Sequence, residues 1–172
     1  MSRRKGRSSP NTTAIDLVIV AAALIAGAAT TVPARAEPSV SESWSYYGVT
    51  GSDLPTLRRE MAAKGPNGFW AYAEWYVNWS ASCRVSVKLT YTMPALSDGS
   101  DLSPRDRGKW DSMITALKAH EEQHGAHGLA AGREIEAANC VNPRRIIRKW
   151  NQADKRLDRE TDHGARTGVT LD

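Results

Sequence analysis

The sequence predicts an α+β fold, in which a small twisted antiparallel sheet packs on a long helix and on an antiparallel C-terminal helix. Three patterns carry this. From Phe69 to Trp79 the odd positions Phe69, Ala71, Ala73, Trp75, Val77 and Trp79 are apolar, while Glu74 and Asn78 fall on the other side. Period two marks a strand with one buried face. Cys83, Val85, Val87, Leu89, Tyr91 and Met93 alternate in the same way with Arg84, Ser86, Lys88, Thr90 and Thr92, and the short turn Ser80–Cys83 makes the two runs an antiparallel hairpin. The third pattern is helical: Trp110, Met113, Ile114 and Leu117 recur at helical spacing, and the stripe continues through Ala131 and Ile135.

The remaining elements follow from local signals. Glu42 to Val49 is rich in Trp and Tyr and reads as a first strand. Ser52-Asp53 caps a short helix, Leu54 to Ala63, stopped by Lys64-Gly65-Pro66. A Ser-, Asp- and Gly-rich loop runs from Pro94 to Leu102. Ser103-Pro104 and Asp106 then supply a hydroxyl cap, a proline in the first turn and an acid at the positive end of the dipole, starting the long helix that runs to about Ala138. Asn142-Pro143 starts a second helix with Ile146, Ile147, Trp150 and Leu157 on one side, continuing to about Asp162 before Gly164.

The first 36 residues read as a targeting segment rather than as fold. Arg3, Arg4, Lys5 and Arg7 form a basic region, Leu17 to Ala29 an apolar one, and Ala34-Arg35-Ala36 a small-x-small cleavage site. The apolar run is shorter than the roughly 20 residues that span a bilayer, so no membrane span is expected after cleavage. The formal net charge of +4 resides in this segment. Without it acids and bases balance, and basicity gives no argument for nucleic acid. Residues 37–172 are expected to form one domain in a secreted or periplasmic setting. There the two cysteines, Cys83 and Cys140, pair as a disulfide.

The long helix contains His120-Glu121-Glu122-Gln123-His124, an H-E-x-x-H pattern. Helical geometry sets the two histidines roughly 40° apart and one turn along, so that both imidazoles reach one Zn²⁺. Glu121 lies between them in angle and is placed as the general base. All three fall within the apolar stripe, where unpaired polar groups are costly, and a metal satisfies them. This is therefore read as a zinc-bearing helix.

The third ligand is less definite. His127 lies about 10.5 Å beyond His120 along an unbroken helix and reaches the same ion only if Gly125 and Gly128 break it. The short connection Asn139 to Asn142 makes the two long helices antiparallel, which sets Thr161 level with His120, Asp158 with Gln123 and His163 with Lys118. His163 is the preferred third ligand. Asp158 is either a ligand or a carboxylate holding an imidazole. The expected function is an exported zinc-dependent peptidase acting on peptide or protein. The alternative is a non-catalytic zinc-binding envelope domain whose metal is structural. Tyr72, Tyr76 and Tyr91 are possible oxyanion stabilisers, with nothing to select among them.

Tyr46-Tyr47-Gly48-Val49-Thr50-Gly51, Leu57-Arg58-Arg59-Glu60-Met61, Gly65-Pro66, Tyr72, Trp75, the His120-Glu121…His124 motif, and Asp158, Thr161 and His163-Gly164 with Gly168 together resemble a bacterial family of predicted secreted zinc-dependent proteases, domain of unknown function 922. The resemblance implies a single zincin-like metallopeptidase domain over residues 37–172, with ligands at His120 and His124 and a catalytic acid at Glu121. His127 is not part of that family pattern, and Leu157 stands where the family commonly has an aromatic residue.

Overall fold

The computed structural model describes residues 37–172; the expected targeting segment lies outside the described residues. Strand β1 spans Ser39–Val49, helix α1 Leu54–Lys64, strand β2 Tyr72–Trp79, strand β3 Val85–Leu96, helix α2 Pro104–Ala137 and helix α3 Pro143–Thr161. Short 3-10 turns cover Pro66–Gly68 and Ala165–Thr167. The α+β expectation holds. No described helix is long and apolar enough to cross a membrane.

The sheet corrects one expectation. Its order is β1-β3-β2, with β2 antiparallel to β3 but β1 parallel to it, so the sheet is mixed rather than antiparallel. After β1 the chain passes through α1 and lays β2 at the far edge. It then returns along the centre as β3, in the direction β1 had taken. Alternation reports which face of a strand is buried but not which neighbour it takes or in which direction, so β1 could not be oriented from its own residues.

The central strand buries Val85, Val87, Leu89, Tyr91 and Met93 as predicted. It runs on through Pro94, expected to open a loop, because the β2 partnership ends at the Tyr72 and Thr92 pair and only β1 continues alongside. A proline in a strand is tolerated where one edge needs no donor. At this same end of β2, Phe69 to Ala71 carry the alternation but precede the paired stretch.

Local caps form as the sequence indicated. The Asp53 carboxylate accepts from the Thr56 amide at 2.7 Å, and the Ser103 hydroxyl accepts from the Asp106 amide at 3.1 Å. Cys83, at the end of the β2–β3 turn, is bonded to Cys140 in the α2–α3 turn. Beside this bridge Val85, Ile135 and Ile146 form one small core. A larger one gathers Val49, Leu57, Met61, Met113, Leu117 and Leu171 at the opposite end of α2.

Helix α2 is continuous, so Gly125 and Gly128 do not break it. They let it lie close to the sheet instead. A Cβ on Gly125 would sit 1.8 Å from the Tyr91 hydroxyl, one on Gly128 2.5 Å from the Trp75 Cβ, and one on Gly132 2.3 Å from a Val87 methyl. Gly108, on the same helix, has open space around it. The two kinds of glycine predict opposite signs. Gly108→Ala raises stability by about 0.4–1 kcal/mol, since alanine is the better helix former. Gly128→Ala lowers it by about 1–3 kcal/mol through overpacking against a side-chain root that cannot swing away. Urea unfolding of the two variants checks both, and equal signs would remove the close-approach explanation.

Candidate metal centre

In its middle third the buried face of α2 changes from apolar residues to His120 and Glu121, which are 4% and 6% exposed. The next turn adds His124, with a side chain 11% exposed. Across from them α3 runs antiparallel. His124 contacts Asp158, His127 contacts Asp154, and Glu134 contacts Lys149, so each step forward on α2 meets a step back on α3.

Three potential ligand atoms converge. His120 Nε2 and His124 Nε2 are 3.3 Å apart, with their rings nearly perpendicular, and Asp158 Oδ1 lies 3.0 Å from the second and 3.3 Å from the first. Two ligands bound to one tetrahedral Zn²⁺ at 2.0–2.1 Å are themselves about 3.3 Å apart, so this donor set matches three corners of that tetrahedron. The chemistry of the set, two imidazoles and a carboxylate, also suits zinc. A cation fits these residues.

Burial and neighbouring charge act in opposite directions on the groups of this cluster. Burial pulls the His124 pKa down, but its bond to Asp154 and the charge of Asp158 outweigh that and leave it raised. His120 is lowered, by burial first and by the neighbouring His124 next. Its Nδ1 is buried without a hydrogen-bond partner. Burial also lifts the Glu121 carboxyl to about 7, although the charge of His124 and a backbone hydrogen bond from Ala73 pull the other way. A carboxyl with a pKa near neutrality beside a ligand cluster is suited to taking and returning a proton.

His163, the preferred third ligand from sequence, lies at the rim. Its side chain is 57% exposed, its ring rests 5.3 Å from that of Phe69, and its Nδ1 is 3.7 Å from Asp158 Oδ1. Asp158, open from sequence as a ligand or as a carboxylate holding an imidazole, stands with His120 and His124 in a group close enough to share one ion. His127 is a turn beyond the group, and its Nδ1 meets Asp154 Oδ1 at 2.7 Å. Asp154 was not singled out from sequence, although it is one turn before Asp158 and level with His127 in the same antiparallel register. Burial alone would raise its pKa, but bonds from His124, His127 and Trp75 hold it below the usual range.

The group opens into a cleft of about 550 Å³. Residues 68–73 leading into β2 form one wall, with Leu117, His120, Glu121 and His124 beneath; Asp158, His163 and the segment 169–172 close the other side. Of the three tyrosines considered for an oxyanion, Tyr72 lines this cleft. Tyr76 is 55% exposed, and Tyr91 is buried against Trp44.

A family model described as a bacterial protein of unknown function, DUF922, matches residues 44–164. Neither the curated proteins nor the solved structures contain a match to the chain.

Proposed function

The chain belongs to the DUF922 family, and we propose that it is an exported zinc-dependent peptidase whose metal is held by His120, His124 and Asp158 and whose general base is Glu121. One observation carries the reading: a buried carboxyl with a pKa near 7 adjoins three converging donors at the floor of an open cleft. Three protein donors leave a fourth position for water or substrate, as catalytic zinc requires, whereas a structural site is closed by four. That favours the enzyme over the structural-metal alternative.

The strand β2 is an edge of the sheet among the described residues, so its outer backbone, apart from the Ala73 amide held by Glu121, is open to pairing with an extended peptide laid along the cleft. Zinc, when bound, polarises the scissile carbonyl and makes water acidic enough to be deprotonated near pH 7. Glu121 takes the proton of the attacking water and returns it to the departing amine. Burial keeps its carboxylate from being solvated by bulk water. The expected targeting segment and the disulfide support an exported destination.

The test is metal analysis of the purified protein together with hydrolysis of a peptide library, before and after chelation. One zinc per chain and cleavage lost on chelation and restored by zinc are expected; metal-free protein at pH 7, or no cleavage by the zinc-loaded form, overturns the reading. The ligand assignment has its own expected outcome. Asp158→Ala lowers zinc affinity by roughly 10–100-fold or more, whereas His163→Ala stays within about twofold. Competition with a chromophoric chelator measures both, and the reverse order would return His163 to the ligand set.

A further inference from the structure

We propose that Asp154 is a positioning residue that fixes His124 in its metal-binding tautomer; this deepens the preceding reading and rests on it for the role of His124. Three donors converge on this one carboxylate. Asp154 Oδ1 lies 3.0 Å from His124 Nδ1 and 2.7 Å from His127 Nδ1, and Oδ2 lies 2.7 Å from the indole Nε1 of Trp75. An ionised carboxylate only accepts, and an indole nitrogen only donates. Each imidazole must therefore carry its proton on Nδ1 when it meets Asp154.

The consequence for His124 is directional. With the proton on Nδ1, its Nε2 presents a lone pair, and that atom is the one facing His120 Nε2 at 3.3 Å and Asp158 Oδ1 at 3.0 Å. Without Asp154 the imidazole is free to place its proton on Nε2 instead and donate it to Asp158. That tautomer cannot bind a metal at Nε2. The orientation of the carboxylate is in turn fixed from two other elements, by Trp75 on β2 and by His127 on α2. This gives His127 a role away from the ion: it holds the carboxylate that holds His124.

His124, His127 and Asp154 also have the composition of a second metal group. Cations in both groups at once would need His124 to lose both ring protons. The geometry therefore assigns one ion per chain.

The experiment has two arms. In the first, zinc affinity and stoichiometry are measured by chelator competition for the wild type, Asp154→Asn and Trp75→Phe. Asp154→Asn should lose about 10–100-fold in affinity, and Trp75→Phe, which leaves Oδ1 and both imidazoles in place, only a few-fold. In the second arm, long-range proton–nitrogen spectra of the metal-free protein are recorded at an alkaline pH where the imidazoles are neutral. His124 should be protonated on Nδ1 in the wild type and shift towards Nε2 in Asp154→Asn. A merely structural role would lower thermal stability without moving the tautomer. An unchanged affinity in Asp154→Asn, two zinc ions per chain, or a wild-type His124 protonated on Nε2 overturns the proposal, and the last needs no variant to fold. If the wild type binds no zinc, the peptidase reading fails while the tautomer still decides this one.

Discussion

Glu121→Gln retains zinc and loses peptide hydrolysis by about a hundred- to ten-thousandfold, the range expected when a positioned general base is removed. Glutamine keeps the shape of the side chain and the acceptor for the Ala73 backbone but cannot take a proton, so binding of the metal and folding should survive. Stability supplies a second signature. Burial raises the folded-state pKa of Glu121 from 4.5 to about 7, so the folded metal-free protein binds a proton more tightly than the unfolded chain. The associated stability is fully present below about pH 4.5 and is lost as pH rises through about 7, a change on the order of 3 kcal/mol. Glutamine has no such transition. Urea unfolding of the metal-free proteins at pH 5 and pH 8 should therefore show a smaller fall for the variant than for the wild type. Persistent hydrolysis by Glu121→Gln would dismiss this residue as the base, and equal falls would remove the raised pKa of the buried carboxyl.

The parts of this site that lie along single helices were legible before any coordinates. The H-E-x-x-H spacing and the apolar stripe through Trp110, Met113 and Leu117 together place His120, Glu121 and His124 on the inward face, where the first two are buried and the third is 11% exposed. The level of α3 was legible as well, because a short connection leaves an antiparallel helix little freedom to slide. What helical spacing could not place was His163, just past the expected end of α3. The helix stops at Thr161, and Asp162 and His163 both take left-handed backbone conformations, with φ near 50°. This turn carries His163 off the helical face to the rim, where extrapolating helical spacing no longer applies, while Asp158 stays on the face and meets both imidazoles. The direction of β1 was illegible for a different reason, since a period-two pattern is unchanged when a strand is reversed. The glycines of α2 were ambiguous alone. Gly128 reads as a breaker until Trp75 is seen pressed against it.

Breaking the disulfide should have the largest effect on stability. Cys83 and Cys140 are 57 residues apart, and closing a loop of that length restricts the unfolded chain by about 4 kcal/mol in the chain-entropy model. The Cys83→Ser, Cys140→Ser protein should therefore unfold at lower urea, with a midpoint temperature roughly 10–20 °C lower. The effect should fall on stability rather than on the metal group. The bridge lies beside the Val85, Ile135 and Ile146 core, whereas Asp158 is about 22 Å by helical rise from Pro143, the start of α3 just after the bridge. Between them the register of α2 against α3 is also held by Lys149 on Glu134 and by Asp154 on His124 and His127. The folded variant should accordingly bind zinc with near wild-type affinity while losing it at lower temperature. Calorimetry of the metal-free and zinc-loaded forms, with and without reductant, separates the two quantities. A loss of less than about 1 kcal/mol would mean that the unfolded chain is already compact around this pair. A large fall in the affinity of still-folded protein would mean that the bridge, and not the contacts between α2 and α3, sets the distance between Asp158 and the histidines.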